Sequence, residues 1–110
     1  MKVLVQARHM DVTEALRQHV EDKISKLPRI LDSLLSVEVI LDREADNAVV
    51  EAVATAHRKT TFVATHRGPD MYACIDQCLH KVVEQLRRHK DKVRDRQKPP
   101  HGQITGEQSS

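Results

Sequence analysis

Cys74 and Cys78 stand four residues apart in the run CIDQC, with His80 two residues further on. On a helix the two thiols share a face, which is the spacing of a pair of soft-metal ligands or of a reactive thiol with a neighbour. A zinc site needs about four converging ligands. No second cysteine pair and no His-x₃₋₅-His cluster occurs, although seven histidines are present. Cys78 and His80 face different ways around a helix, so they do not form a nucleophile and its base. The acid pairs Glu21-Asp22 and Asp42/Glu44 fall in polar faces and turns. With three glycines in all, no loop can cradle a phosphate. Two cysteines in the apolar half of a helix read as small core residues. No catalytic residue, metal ligand or cofactor is expected, and the chain reads as a non-enzyme.

Cationic side chains carry a stronger signal. The net charge of +2 hides a division: residues 80–98 hold eight Lys/Arg against Glu84, Asp91 and Asp95, while residues 1–79 are slightly acidic. The basic excess therefore has a local field. Lys81, Arg88 and Lys92, at steps of seven and four, share one side of a helix, expected opposite the buried stripe with Arg87 beside them. Lys23, Lys26 and Arg29 would extend that patch if the two helices lie side by side. A solvated helix face is the plain alternative, but acids are too few to pair these cations along the helix. The patch points to a polyanion.

The elements that must position these residues follow from periodicity. Residues 2–8, KVLVQAR, alternate as a strand with Val3 and Val5 on one face. Asp11 or Thr13 is the expected N-cap of a helix with Glu14 in its first turn. Its stripe is Leu16, Val20, Ile24, Leu27 and Leu31, and Pro28 should end or kink it near Leu27. Residues 36–43 alternate with Val37, Val39 and Leu41 on one face. A turn at 44–47 leads to strands 48–57 and 60–66, joined at Arg58-Lys59. For the first of these, Val49/Val53 and Val50/Ala52/Ala54 are equally plausible inner faces. After Arg67-Gly68-Pro69-Asp70 comes a helix that buries Ile75, Leu79, Val82, Leu86 and Val93.

The expected fold is α+β, a two-layer β-α-β-β-β-α domain over residues 1–95. The first helix is a right-handed crossover that makes strands one and two parallel in a four-stranded mixed sheet. Both helices cover one sheet face, because neither can bury its stripe alone, and the other face meets water. The arrangement resembles a double-stranded-RNA-binding fold. Residues 96–110, rich in Pro, Gly, Ser and Gln, read as a disordered polar tail.

Length and composition fit one domain. The three-residue apolar segment VLV is too short for a signal peptide, and no apolar run approaches the roughly 18 residues needed to span a bilayer. Two cysteines one turn apart make no disulfide framework, so a reduced, cytoplasmic setting is expected. There is no Trp, one Tyr and one Phe. Single-strand readers stack bases on exposed aromatics. Tyr72 and Phe62 both lie in core-like patterns, which favours contact with phosphates and folded RNA shape.

The segment GPDMYACIDQCLHKVVEQLRRHKDK, 68–92, resembles the C-terminal helix of the bacterial ribosome hibernation promoting factor/ribosome-associated inhibitor family. DVTEALRQHVEDKISKL, 11–27, resembles its first helix. The likeness covers about residues 2–95. It implies a stationary-phase or stress protein that binds the small ribosomal subunit and its rRNA, between head and body, over the mRNA and the A- and P-site tRNA positions. Carried over by position, Arg17, Lys23, Lys26, Lys81, Arg88, Lys90 and Lys92 would meet rRNA, with Arg87 beside them. Glu84 stands where relatives often carry Arg, and Pro28 shortens a helix that relatives continue, turning Arg29 elsewhere. Long-form relatives append a dimerising second domain; the tail here implies a short form, monomeric off the ribosome, with no membrane or DNA partner. A general structured-RNA-binding module, or less directly a small metal-dependent enzyme, is the alternative.

Overall fold

The computed structural model describes residues 1–97, with side chains through Val93. The tail expected over 96–110 lies outside them beyond Gln97. In chain order the elements are β1 (Lys2–Arg8), α1 (Glu14–Ile24), β2 (Leu34–Glu44), β3 (Asn47–Ala56), β4 (Thr61–Gly68) and α2 (Met71–Gln97). The sheet order is β1-β2-β3-β4, with β1 parallel to β2 and the other pairs antiparallel. The expected α+β architecture is the observed one.

Local chemistry sets the boundaries. Thr13 is extended, and its hydroxyl accepts the Leu16 N–H at 3.1 Å, which satisfies one of the orphan donors opening α1. Regular helix stops at Ile24, earlier than Leu27, because Pro28 sits in a following 3₁₀ turn, Leu27–Arg29, and has no N–H for the α ladder. Leu27 and Leu31 remain buried nonetheless, so the stripe outlasts the helix that began it. Asp70 caps α2 through its carboxylate, which accepts the Ala73 N–H at 3.2 Å. The turn between β3 and β4 places Arg58 and Lys59 at φ 64° and 61°. Gly68 ends β4 where a Cβ would come 3.3 Å from Cys74 Sγ.

The core lies between the sheet and the helix layer. On β3 the buried positions are Ala48, Val50, Ala52, Ala54 and Ala56. Pairing decides this: Ala52 lies opposite Val39 and Val50 opposite Leu41, so the inner face of β3 must match that of β2. The small side chains there let α2 approach, and Ile75, Cys78, Val82 and Leu86 are fully enclosed against them. Each such aliphatic side chain contributes about 1.5–3 kcal/mol on burial. Val3 shares the face of Val5 as expected and is 36% exposed at the strand's end. One position differs from expectation. Val93, near the far end of α2, is half-buried rather than enclosed.

Candidate nucleic-acid interface

α1 and α2 run side by side in the same direction. His19 Nε2 lies 2.7 Å from Asp76 Oδ1, and Lys23 Nζ lies 3.6 Å from the same oxygen. Further along, the corner after α1 faces the C-terminal part of α2 across a cleft. The outer surface of the helix layer is interrupted by that cleft, and the expected cations are distributed around it unevenly.

At about 100° per residue, Lys81, Arg88 and Lys92 fall within about 40° of one another, and the middle of the buried stripe is about 100° away. This row is on a flank of α2, not opposite the stripe as the spacing alone suggested. The Lys81 ammonium donates to the Thr65 carbonyl at 2.8 Å, and Gln85 Nε2 donates to the Val63 carbonyl at 2.9 Å. These bonds pin the flank over the free edge of β4 and satisfy carbonyls that an edge strand would otherwise offer to another chain. The ammonium has two further donors to give.

Arg87 and Lys90 lie elsewhere around α2. Arg87 is on the outward ridge, and Lys90 is on the side facing the α1 corner. Lys23 sits at the seam between the helices, partly neutralised by Asp76. Arg17 is about 120° around α1 from Lys23, on the flank away from α2. Lys26 is exposed at the start of the 3₁₀ turn. The helices do lie side by side, yet the eight cations form a wrap around the helix layer rather than one flat patch. Over residues 80–93 five cations face only Glu84 and Asp91, and Glu84 is engaged by His80 at 3.8 Å.

The only tyrosine departs from its expected role. Tyr72 is 40% exposed, and its ring meets His19 in a T-shaped contact with centroids 5.1 Å apart. One residue past buried Met71, it is rotated to the α1-facing flank. Phe62, by contrast, is buried under His89. The helical phase of Tyr72 relative to Met71 and Ile75 was the signal that could have revealed this.

Among the described residues both thiols are buried. Cys74 Sγ and Cys78 Sγ contact the carbonyls of Ala48 and Ala64 at 3.8 and 3.4 Å. Burial pushes both thiols up, Cys78 to about 11, so neither is a thiolate near neutrality. Among the described residues no group of three or more His, Cys, Asp or Glu is placed to hold a metal ion. His9, at φ 58°, meets Asp42 at 2.9 Å. That hydrogen bond holds the Asp42 carboxyl below its ordinary range against the opposing effect of burial. No described helix is long and apolar enough to cross a membrane.

Comparison with known proteins gives a consistent picture. The model of the family described as Sigma 54 modulation protein / S30EA ribosomal protein matches residues 3–94. A ribosome hibernation promoting factor from Azotobacter vinelandii is 42% identical over 98 residues, covering 88% of this chain and 90% of the relative. The protein of that name from Escherichia coli K12 is 34% identical over 95 residues, covering 86% and 98%. Among solved structures, the N-terminal domain of Thermus thermophilus Protein Y superposes with a TM-score of 0.75 at 26% identity, covering 81% of this chain and 99% of that one. A ribosomal subunit interface protein from Coxiella burnetii shares the fold, with a TM-score of 0.77 at 24% identity, covering 83% and 99%.

Proposed function

Because the chain belongs to the Sigma 54 modulation protein / S30EA ribosomal protein family, we propose that it is a ribosome hibernation factor that inhibits translation by occlusion, without chemistry. The two-layer domain acts as a rigid wedge in the decoding channel of the small ribosomal subunit, over the positions of mRNA and the A- and P-site tRNAs. Its partner is rRNA, and its setting is the cytoplasm. Arg87, Arg88, Lys90 and Lys92 make the main phosphate contacts from α2, with Lys81 beside them. Arg17, Lys23 and Lys26 contribute from the first helix and its corner.

The family match over 3–94 carries this reading, since it spans nearly all of the described residues. The geometry supports it in two ways. A wedge must be stiff, and α2 is sealed to β3 and β4 by enclosed side chains and by the Lys81 and Gln85 bonds to the edge of β4. A polyanion ligand requires unpaired cations, and Arg87, Arg88, Lys90 and Lys92 form no ion pair among the described residues. If about six phosphates are neutralised, affinity falls with salt at a log–log slope of about −4 to −5.

The test is co-sedimentation of the Arg88→Glu/Lys92→Glu variant with small subunits in sucrose gradients. Loss of binding with an unchanged melting curve is expected; wild-type binding by the variant refutes the assignment. Displacement by tRNA with mRNA separates channel occlusion from general RNA affinity, since a general binder would take naked structured RNA equally well.

A further inference from the structure

The cleft between the α1 corner and the end of α2 is open to solvent and has a volume of about 410 Å³. Arg29 stands on one wall and Lys90 on the other, and neither forms an ion pair among the described residues. Pro28 explains the juxtaposition. By ending α1 early it swings the chain through a 3₁₀ turn, so Arg29 faces α2 instead of continuing along α1. Ile30, Leu31 and Val93 supply the apolar part of the lining. His89 is half-buried at the α2 wall, where a T-shaped contact with Phe62, centroids 5.3 Å apart, fixes its ring. Asp32 and Ser33 complete the cleft with oxygen acceptors.

Size and lining together select a ligand class. The volume is in the range of small-molecule sites, roughly 300–1,000 Å³, and a lone phosphate would leave most of it empty. Two cations suit a phosphate, an apolar floor suits the face of a planar base, and an acid beside a hydroxyl suits ribose hydroxyls. A purely anionic ligand would gain nothing from Ile30 and Val93 and would be repelled by Asp32. We infer that this cleft seats a single nucleotide, with its phosphate between Arg29 and Lys90 and its base against Ile30, Leu31 and Val93. The nucleotide is either an unstacked residue of bound RNA or a free one; the first source deepens the ribosome-binding reading and rests on it.

Two measurements on the full chain decide the matter. In the first, ¹⁵N-labelled protein is titrated with millimolar adenosine 5′-monophosphate and, separately, with inorganic phosphate. The nucleotide should shift the amides of Ile30, Leu31, Ser33, His89 and Val93, and phosphate should leave the apolar wall unmoved. In the second, Ile30→Trp fills the cleft while keeping both cations. It should weaken small-subunit binding about tenfold, the scale of one lost base contact, and flatten the salt slope by about 1, because the expelled nucleotide's phosphate leaves Arg29 and Lys90.

Weakened binding by Ile30→Trp supports the RNA-borne source. Amide shifts with undiminished subunit binding support a free nucleotide. Identical shifts from phosphate, or no shifts together with wild-type binding by Ile30→Trp, overturn the inference. If the wild type itself does not bind small subunits, the ribosomal reading fails, and the titration still decides the cleft. Should Ile30→Trp not fold, Arg29→Ala/Lys90→Ala in the same titration takes its place, with loss of the nucleotide shifts expected.

Discussion

The helix layer and the outer face of the sheet belong to one small domain and carry opposite characters. The helix layer wraps cations around α2 and the α1 corner. Across the sheet, register aligns Leu4, Glu38, Val53 and Val63 in one row, then Gln6, Ile40, Glu51 and Thr65, then Arg8, Asp42, Val49 and Arg67. Carboxylates thus occupy the central strands, and neighbours engage several of them: Gln6 bonds Glu38, His9 bonds Asp42 and Arg67 pairs with Glu44. A polyanion meeting this domain is attracted by one side and repelled by the centre of the other. Orientation is therefore built into the charge distribution, before any specific contact forms.

The largest effect expected from this asymmetry is on the helix side. Reversing Arg88 and Lys92 to Glu should lower small-subunit affinity at least about 100-fold and flatten the salt slope by about 2. Titrations at two or more salt concentrations check both numbers. A drop in affinity with an unchanged slope would mean that the two residues do not meet phosphates.

A second expectation separates scaffold from surface. Leu86 is fully enclosed under the cationic half of α2, and Leu86→Ala should cost about 3 kcal/mol in chemical denaturation. At a temperature where the variant is still folded, its ribosome binding should stay near the wild-type value. If binding falls as far as in the double charge reversal, rigid seating of α2 and not charge alone governs the contact.

Much of this contrast was legible in the sequence, and the part that was not has physical causes. Element order, the parallel first pair and the buried stripes follow from periods of 2 and 3.6 and from the length of the crossover. The inner face of β3 did not follow, because Val49/Val53 and Val50/Ala52/Ala54 are both small and apolar; register with β2 decided it. The cations were found, but their common side was placed opposite the core. A spacing of seven and four fixes which residues share a flank, and only docking on the sheet shows which flank that is. Tyr72 looked like core because its neighbours are core. The cleft was invisible because it joins residues about 60 apart through a corner made by Pro28.

The seam between the two layers offers a third test, driven by pH. An unfolded Cys78 thiol loses its proton near 9, whereas burial in the folded chain delays this to about 11. The folded state therefore holds the proton longer, and the thiol's contribution to stability, constant below pH 9, should fall between 9 and 11. Lysines also titrate in that window, so the reading is the difference between wild type and Cys78→Ala: the variant's melting temperature should decline less steeply. Equal slopes would mean that the thiol is solvated and the layers are not sealed there.

The smallest effect is expected on the sheet face, and it is the sharpest test of the asymmetry. Glu38 pairs with Val53 and Glu51 with Ile40, so the two carboxylates are diagonal neighbours on adjacent strands. Glu51→Lys replaces a like-charge diagonal with an opposite one and should stabilise the fold slightly, by a few tenths of a kcal/mol at about the scale of such pairs. Its effect on small-subunit affinity should stay within about twofold at physiological salt, where the Debye length is about 8 Å and a charge on the far layer is screened from phosphates facing the helices. The same substitution adds two units of positive charge, as much as any two lysines on α2 contribute. If affinity rose severalfold and the salt slope steepened by about 1 to 2, the sheet would be touching RNA as well, and a domain enclosed on both faces would have to replace a wedge held by one.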